Sequence, residues 1–417
     1  MPLDNEFSGR LEAVDAVNDD ALAGRLCAFP SQPAHGLAMT VQARAELAVE
    51  VLDRASALRR LPAELDDLAA RALESNVFAE APMFIAALEH IDVDAPLCIV
   101  CVRDAAGALH GVFPLVRAPL RVGENVMVLR NWAHRYCFLG TPLVDAARAA
   151  GVLAALARWI ESGAAPAGGL QWTKLSWDGP FGALLRETFA RSSWRMDVTS
   201  AQRATLLRES DLKASISPKH AKELRRLERR LSDRGGLAYA AIQPDDDWRP
   251  WFEDFLSVEA SGWKGAEGSA IRSKPEDTAF FRSVVRQAHA RGQLQLLSLA
   301  VGGRAAAMKL SLRARGASYA LKIGYDEQYA QFSPGVLLEL FNIQEFERQP
   351  EHIRSMDSCA SENHPMINRL WSGRREIAEV TLVRHGALLR ALVALRPVAR
   401  RLRTSWARRR DLGDRAV

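Results

Sequence analysis

Ser333, Pro334 and Gly335 stand directly before an apolar segment with helical spacing, Val336–Phe346. Serine is a favoured N-cap residue, proline is tolerated in the first helical turn, and glycine lets a ligand approach the backbone closely. The unpaired N–H groups and the positive end of the helix dipole at such an N-terminus favour an anion such as a pyrophosphate. The same three residues can also do no more than start a helix, so both interpretations stay open at this point.

A second group of polar residues follows the predicted strand Ile353–Asp357. Asp357, Glu362 and His364 have side chains that can take up a proton as a general base, and functional sites often lie at strand ends in α/β sheets. We therefore predict that one of these three residues is catalytic. Cys359 lies among them, but a cysteine between serine and alanine at such a junction is more often an inert small residue than a nucleophile.

Candidates for ligand binding also lie at the ends of a predicted helix and a predicted strand. Trp263 and Lys264 follow the helix that contains Glu259, and an aromatic ring beside a cation can hold an anionic or sugar-like molecule. The alternative is that the tryptophan only anchors the helix and the lysine is solvated. The residues that we assign to substrate binding are Glu259, Trp263, Lys264, Lys322, Tyr325 and Asp326.

The composition is that of a globular protein with room for two domains. The chain has 417 residues, of which 48% are hydrophobic and 25% charged, and its net charge of +5 does not by itself indicate nucleic acid. With five scattered cysteines, no secretory signal and no stretch that could span a membrane, we expect a cytoplasmic protein with reduced thiols. Cys98 and Cys101 would face opposite sides of a strand, and we expect no metal site.

The hydrophobic periodicity gives a similar order of elements twice. In the first half, helices are predicted over Leu65–Leu73, Pro82–Ile91, Ala146–Ile160 and Phe181–Ala190, and strands over Leu97–Val102, Leu109–Val116, Val126–Leu129 and Leu170–Trp177. In the second half, helices are predicted over Pro218–Arg234, Trp248–Ser261, Thr278–Arg291 and Val336–Phe346, and strands over Leu237–Ile242, Leu294–Val301, Ala305–Leu312, Ser318–Ile323, Ile353–Asp357 and Val380–Val383. We predict an α+β fold, an α/β mixed sheet built from a repeated unit rather than a doubly wound parallel sheet.

Four stretches of the second half carry a resemblance to a known family. They are Ser217–Arg226, Glu259–Lys264, Leu296–Lys309 with its Gly-Gly hairpin, and Lys322–Asp326 leading to Ser333–Leu338. Residues 218–383 resemble the acetyltransferase-like domain of the GNAT superfamily, in the form found in CelD-type cellulose and exopolysaccharide biosynthesis proteins. That form is related to the Fem peptidoglycan aminoacyltransferases.

The resemblance implies two tandem GNAT-like domains and a site for acyl-CoA. In the superfamily, backbone N–H groups in the loop before the helix hold the pyrophosphate, and the resemblance places this role on Gln331, Phe332, Ser333, Gly335 and Val336. The usual loop has two glycines in a Q/R-x-x-G-x-G/A pattern, whereas this chain has only Gly335, so an aminoacyl-tRNA or another activated donor stays open. The corresponding first-half stretch, Leu139–Leu143, has no glycine at the helix start, and we interpret that half as a degenerate copy that shapes the acceptor cleft.

The predicted divisions are a loose N-terminal segment 1–45, a degenerate GNAT-like domain 46–205, an acyltransferase domain 206–383 and a tail 384–417. The tail has ten arginines against two aspartates along with leucines and Trp406, which suits an amphipathic segment on an anionic membrane surface. A disordered basic tail is the alternative. The helix Pro218–Arg234 is also basic, but it lacks the interleaved aromatic residues that stack bases, so we expect neither tRNA nor DNA as a partner.

These features together predict an N- or O-acyltransferase in the cytoplasm, with attachment to the inner membrane surface as a further expectation. The expected donor is acyl-CoA, acetyl-CoA in the first place, and the expected acceptor is an amine or hydroxyl of a small molecule or glycan precursor of the cell envelope. Two alternatives remain. One is a Fem-like aminoacyl-tRNA-dependent transferase, although no long helical arm interrupts the second half. The other is an inactive scaffold of a polysaccharide biosynthesis complex, which the missing second glycine favours.

Overall fold

The computed structural model describes residues 46–120, 127–190, 192–209, 217–261, 267–268 and 270–384. In these ranges the strands are β1 Ala48–Leu52, β2 Leu97–Arg103, β3 Leu109–Pro119, β4 Met127–Asn131, β5 Leu143–Val144, β6 Gly169–Ser176, β7 Arg195–Leu207, β8 Leu237–Ala241, β9 Leu294–Val301, β10 Arg304–Ala314, β11 Ala317–Tyr325, β12 Ser355–Asp357 and β13 Gly373–Val383. The helices are α1 Arg54–Ala70, α2 Ala81–His90, α3 Ala149–Glu161, α4 Pro180–Ala190, α5 Pro218–Ser232, α6 Trp248–Ala260, α7 Pro275–Ala290, α8 Pro334–Arg348 and α9 Pro365–Leu370. The predicted segment 1–45 and nearly all of the tail 384–417 lie outside these ranges.

The strands form one mixed sheet in the order β1-β2-β3-β4-β6-β13-β7-β12-β11-β10-β9-β8, with β5 paired to β3. Each half contributes four antiparallel strands, β1 to β4 and β8 to β11. In each half the fourth strand is then followed by a parallel neighbour, β6 beside β4 and β12 beside β11. The prediction of a mixed sheet built from a repeated unit is confirmed.

The two halves exchange their last strands at the centre of the sheet. β7 ends the first half along the chain, yet Thr205–Leu207 pair with β12 of the second half. β13 ends the second half and pairs with β6 of the first. β7 and β13 also pair with each other over Arg195–Thr205 and Gly373–Val383. The halves therefore share one sheet, and the predicted domain boundary at residue 205 falls inside β7.

Helices cover both faces of this sheet. On one face, a single apolar core joins α1 and α2 of the first half to α6 and α7 of the second, with buried side chains such as Phe84, Phe252 and Phe280. On the other face, α3 and α4 cover the first half, and α5 and α8 cover the second. Cys98 and Cys101 point to different cores, as their spacing on β2 predicted.

The structure corrects the predicted elements at several places, and it contains β5 and α9, which the sequence does not predict. The helix predicted over Leu65–Leu73 begins much earlier, because the Asp53 carboxylate caps it by accepting a hydrogen bond from the Ser56 N–H at 2.7 Å. The sequence does not predict β1. It also does not predict β7, in which Ser200, Gln202 and Arg203 break the apolar alternation of a half-buried strand.

Candidate functional site

The two parallel strands of the second half part from each other after a short contact. β11 pairs with β12 only over Ala317–Tyr319 and then continues to Tyr325, with no strand on that side in the described part of the chain. After Asp357 the chain turns away at Cys359, which has a left-handed backbone with φ of 55°. Ligands in open α/β sheets bind beyond the carboxyl ends of strands at such points, so this gap is where we place the candidate site.

The predicted donor loop lies at this gap. A 3₁₀ turn, Glu327–Phe332, leads to Ser333, which has a left-handed backbone at the N-cap of α8. The Ser333 side chain makes no capping hydrogen bond, so the expectation that it caps the helix is wrong. Its carbonyl oxygen instead accepts hydrogen bonds from the N–H groups of Val336 and Leu337, at 3.0 and 3.1 Å.

Gly335 is buried beneath the ring of Tyr325. A Cβ atom at this position would lie 3.5 Å from Cδ1 of Tyr325, which is ordinary contact, and the φ angle of Gly335 is not positive. The fold therefore does not require glycine here. Burial of the Tyr325 hydroxyl raises its pKa. A ligand on the Gly335 backbone would have to displace this ring.

Helix α5 and the turn that follows it bring two arginines to the same loop. The guanidinium groups of Arg230, in the last turn of α5, and Arg234, two residues beyond its end, each lie 5.5 Å from the centre of the buried Phe332 ring. Both arginines are exposed, and within the described residues neither has a carboxylate within ion-pair distance. The start of α8 is therefore flanked by unpaired positive charge, which the basic pattern of Pro218–Arg234 allowed but did not locate.

The predicted substrate-binding residues take different positions. Lys322 on β11 forms an ion pair with the buried Glu259 of α6 at 3.0 Å, and Glu259 also accepts a hydrogen bond from the Ile271 N–H at 2.9 Å. Gly324 allows this approach, because a Cβ there would lie 2.9 Å from Cα of Glu259. Asp326 caps the 3₁₀ turn by accepting from the Gln328 N–H. Trp263 and Lys264 lie outside the described residues.

Asp357, one of the three predicted bases, is held in a buried ion-pair network. It is 1% exposed. Its Oδ2 lies 2.9 Å from Nη1 of Arg375 and 3.5 Å from Nη1 of Arg203, and its Oδ1 accepts a hydrogen bond from the Cys359 N–H at 2.7 Å. Because both oxygens are occupied, the placement favours a structural role at the junction of β7, β12 and β13, and a catalytic role for Asp357 stays a prediction.

The other two predicted bases, His364 and Glu362, differ in whether their side chains already accept a hydrogen bond. His364 caps α9, where its Nδ1 accepts from the Ile367 N–H at 3.3 Å, so a neutral ring has its proton on Nε2 and can only donate there. Burial lowers the pKa of His364 and raises that of the neighbouring Cys359 thiol, which agrees with an inert cysteine. Glu362 is exposed, and its carboxylate has no partner among the described residues.

A buried ion pair beneath α8 was missed by the sequence analysis. Lys309 of β10 and Glu339 of α8 are 2% and 0% exposed, and their charged atoms lie 2.6 Å apart. Glu339 also accepts hydrogen bonds from Trp371 Nε1 at 3.0 Å and from Asn342 Nδ2 at 2.9 Å. The sequence did contain a signal, because Lys309 and Glu339 each interrupt an apolar segment. Charged residues are almost never fully buried without a partner, so two buried charges of opposite sign could be expected to pair.

A loop of the first half forms part of the wall of the second-half site. It follows β4, and the Tyr136 hydroxyl donates a hydrogen bond to Oδ2 of Asp277 on α7 at 2.6 Å, while Nε of Arg135 lies 2.9 Å from Oδ1 of the same carboxylate. The Tyr136 ring stacks on Phe280 and lies 5.7 Å from the Lys322 ammonium group. The sequence contained only an aromatic-rich segment here, with no sign of its partner.

In the corresponding part of the first half, a buried carboxylate lies in the turn before α3. Asp145 precedes α3, where its Oδ1 accepts from the Ala147 N–H at 2.9 Å, and its Oδ2 lies 2.8 Å from Nδ1 of His110 and also contacts Arg71. Burial opposes ionisation of Asp145, but the hydrogen bonds from His110 and Ala147 and the charge of Arg71 outweigh it and lower the pKa. Asp145 is thus held in the turn that leads into α3, and the interpretation of the first half as a degenerate copy stays a prediction.

Neither a metal centre nor a membrane span is found in the described residues. No three His, Cys, Asp or Glu side chains come together there as metal ligands would. No described helix has the length and apolar composition needed to cross a bilayer.

The part of the chain that contains this site is similar to a known protein domain. A family model described as Acetyltransferase (GNAT) domain matches residues 218–361. No curated protein sequence matches the chain. Similar solved structures include the C-terminal domain (DUF2156) of a putative lysylphosphatidylglycerol synthetase from Agrobacterium fabrum, with 12% identity and a TM-score of 0.49 over 82% of this chain and 95% of that one.

Two further solved structures are similar to this chain. FemX has 9% identity and a TM-score of 0.49, over 76% of this chain and 95% of that one. A tandem GNAT protein from the clavulanic acid biosynthesis pathway has 15% identity and a TM-score of 0.40, over 80% and 98%. The match agrees with the resemblance of the second half to a GNAT acetyltransferase domain that the sequence predicted, over residues 218–361.

Proposed function

We propose that the second half transfers an acyl group from acyl-CoA to an amine or hydroxyl of a small precursor of the cell envelope or of a polysaccharide. The observation that supports this most directly is the start of α8, where Ser333 and the exposed Arg230 and Arg234 surround Phe332. The N-terminus of a helix together with two guanidinium groups suits a pyrophosphate. The GNAT match over residues 218–361 supports the choice of acyl-CoA as its source.

The thioester would lie in the gap between β11 and β12. Beyond Tyr319, β11 runs along the gap with no neighbouring strand on that side in the described part of the chain, and backbone N–H groups at such a gap can polarise a carbonyl oxygen as its charge develops. The acceptor nitrogen or oxygen attacks the carbonyl carbon, the carbon–sulfur bond breaks, and CoA leaves as the thiolate. Glu362 takes the acceptor's proton in this proposal, because it is the predicted base with a free carboxylate.

The acceptor would approach β11 at Lys322, whose side chain is 17% exposed and pairs with the buried Glu259. The rings of Tyr136 and Phe281, one from each half of the chain, lie 5.7 and 5.9 Å from its ammonium group, an arrangement that can take part in binding a polar molecule such as an amino sugar. The identification of an envelope or polysaccharide precursor depends on the resemblance of the sequence to CelD-type proteins.

Donor binding can be tested by thermal unfolding with acetyl-CoA, longer acyl-CoAs and free CoA at millimolar concentrations. A ligand that binds only the folded state raises Tm by mass action, and we expect all three to do so. Replacing both Arg230 and Arg234 with Gln should weaken binding about tenfold or more, since charge-assisted hydrogen bonds contribute roughly 1.5–3 kcal/mol each. Arg229→Gln is the matched control, because this exposed arginine of α5 does not contact Phe332.

Two results would contradict the proposal. The first is the absence of any Tm shift with all thioesters and CoA. The second is a shift of equal size in the double variant and in wild type, which would place the donor away from α5 and α8. Gly335→Glu provides an independent check, because a carboxylate at the start of α8 should repel the pyrophosphate.

A further inference from the structure

A groove that the proposed transfer does not use lies between α5 and α8. Its walls include Leu224 of α5 and Leu337, Leu340 and Phe341 of α8, and its volume is about 230 Å³. The residues that α8 contributes have the spacing of one helical face, so the groove follows the length of that helix. It begins at Leu337, one helical turn beyond Ser333, and is therefore next to the proposed site for the donor phosphates.

The α5 side of this groove is basic. Six lysines and arginines of α5 are exposed, namely Lys219, Lys222, Arg225, Arg226, Arg229 and Arg230. Lys222, Arg225 and Arg229, at i, i+3 and i+7, form one stripe along the helix, which we call the basic stripe, and Arg225 also lines the groove. Within the described ranges, none of these three has a carboxylate within ion-pair distance. The basic stripe is therefore positive charge without an internal partner beside an apolar groove.

The acidic residues of α5 do not neutralise the basic stripe. The helix contains two, Glu223 and Glu228. Glu223 is paired with Arg226 at 2.5 Å. Oε1 of Glu228 accepts a hydrogen bond from the hydroxyl of Tyr239 on β8, at 2.7 Å. The charge of the stripe is thus available to a partner molecule.

A molecule of the size of CoA cannot use the whole of this surface. Its phosphates are proposed to bind beside Phe332, where Arg230 and Arg234 lie. Lys222 precedes Arg230 by eight residues, which is roughly 12 Å along the helix axis. The surface therefore suits a larger partner that has acidic groups along one side and apolar side chains to place in the groove.

We propose that the basic stripe and the groove bind an acidic acyl carrier protein, which presents the acyl group on a phosphopantetheine arm. The inference rests on the proposed acyl transfer, because the arm of such a carrier ends in the same thioester as acyl-CoA. Acidic residues of a carrier helix pair with Lys222, Arg225 and Arg229, and apolar side chains of the same helix contact Leu340 and Phe341 in the groove.

The arm of the carrier leads from this surface to the gap between β11 and β12. Its single phosphodiester binds at the start of α8 beside Arg230 and Arg234, where CoA would place a pyrophosphate. The acceptor attacks the carbonyl carbon, the carbon–sulfur bond breaks, and the carrier leaves as a thiolate. This thiolate takes up the proton that Glu362 removed from the acceptor, so the products are the acylated acceptor and a carrier with a free thiol.

A nucleic acid would fit this surface less well than a protein. Its phosphates could pair with the basic stripe, but it has no aliphatic side chains for the groove. Helix α5 also contains no Phe, Tyr or Trp on which a base could stack. The combination of the stripe with an apolar groove therefore favours a protein helix as the partner.

Calorimetric titration of the full-length protein with an acetylated acyl carrier protein tests the docking surface. We expect a dissociation constant below about 50 µM at about 50 mM salt, and weaker binding at about 300 mM salt, because ions screen the charge pairs. The double variant Arg225→Glu/Arg229→Glu should bind the carrier at least about tenfold more weakly, since like charges then face each other. The matched control Arg59→Glu/Arg286→Glu makes the same change in net charge at exposed positions of α1 and α7 and should bind as wild type does.

Acetyl-CoA distinguishes a failure of this inference from a failure of the proposed function. The variant Arg225→Glu/Arg229→Glu should keep the rise in Tm with acetyl-CoA, since Arg230, Arg234 and the start of α8 are unchanged. If acetyl-CoA raises Tm and the carrier does not bind up to about 200 µM, the docking surface is overturned and transfer from CoA stands. If the carrier binds and acetyl-CoA has no effect, the docking surface is supported and CoA is not the donor.

Two further results would overturn the docking surface. Equal weakening of carrier binding by the control variant would attribute the binding to net charge and not to α5. Displacement of the carrier by transfer RNA at a lower concentration than by unlabelled carrier would show that the basic stripe binds nucleic acid.

Discussion

Glu80 shows how burial alone sets the charge of a single residue. It stands at the N-cap of α2, is 5% exposed, and its Oε2 accepts a hydrogen bond from Gln293 Nε2 at 2.7 Å. Burial raises its pKa from 4.5 to about 7, because no cation compensates the charge closely enough. The folded protein therefore keeps a proton on Glu80 over a pH range in which the unfolded chain has lost it.

The sign of the resulting pH dependence can be tested with Glu80→Gln. The stabilisation by protonated Glu80 is fully present below pH 4.5 and is lost as pH rises through about 7. Gln cannot ionise, so the free energy of unfolding of the variant should rise relative to wild type between pH 5 and pH 8, by roughly 3 kcal/mol at most. Urea unfolding at both pH values measures the difference. For the control Glu347→Gln, at an exposed position, the difference from wild type should not change with pH. If the difference between Glu80→Gln and wild type is also the same at both pH values, the assignment to Glu80 is refuted.

At the scale of elements, a left-handed residue and a glycine shape the point where the parallel strands β4 and β6 separate. Lys174 on β6 has φ of 56°, and its carbonyl oxygen accepts a hydrogen bond from the Gly140 N–H at 2.8 Å. Asn131 of β4 holds the adjacent Thr173, to which it donates through Nδ2 and from whose N–H it accepts. A Cβ at Gly140 would lie 2.2 Å from the Thr173 carbonyl oxygen. The distorted end of β6 therefore requires glycine at position 140.

The close contact at Gly140 and the room for a Cβ atom at Gly335 predict different effects on stability when each glycine is replaced with alanine. Gly140→Ala should reduce the free energy of unfolding by roughly 2–4 kcal/mol, because backbone atoms must move apart to accept the methyl group. Gly335→Ala should stay within about 1 kcal/mol of wild type, since its Cβ has room and alanine favours the helix. Chemical denaturation of both variants is the measurement. Equal stability of the two would show that the close approach at Gly140 is not maintained in solution.

At the scale of the whole molecule, the exchanged strands β7 and β13 make each half depend on the other. Without β13, β6 and β7 of the first half have no pairing with each other, and without β7, β12 of the second half has one partner fewer. The apolar core that joins α2 to α7 would also be divided. The two halves should therefore unfold together, in one transition.

Separate expression of residues 46–205 and 206–383 tests this dependence. Each fragment alone should lack a cooperative thermal transition, and co-expression should restore a complex of both fragments with a transition close to that of the intact chain. Circular dichroism melting and co-purification are the measurements. A sharp transition of either fragment by itself would mean that the halves are independent domains and that the strand exchange adds little stability.

Local patterns in the sequence were sufficient for most elements and for the resemblance of the second half to a GNAT domain. The segments that became α2, α4, β9 and β10 have strong periodicity, and the Gly302-Gly303 hairpin has the positive φ angles, 57° and 78°, that its turn type needs. The loop before α8 could be located as well, because Pro334 in the first helical turn marks where the helix begins. β1 and β7 could not, since their polar residues are accommodated only by neighbours far away in the chain.

The sequence by itself determined the order of elements, the repeated mixed α/β unit and the GNAT-like second half, because each depends on residues close together in the chain. Only the tertiary structure decided that Asp357 has both oxygens occupied, that Arg230 and Arg234 flank the start of α8, and that β7 and β13 change places. These features arise from contacts between distant segments, whose pairing depends on packing and not on local propensity.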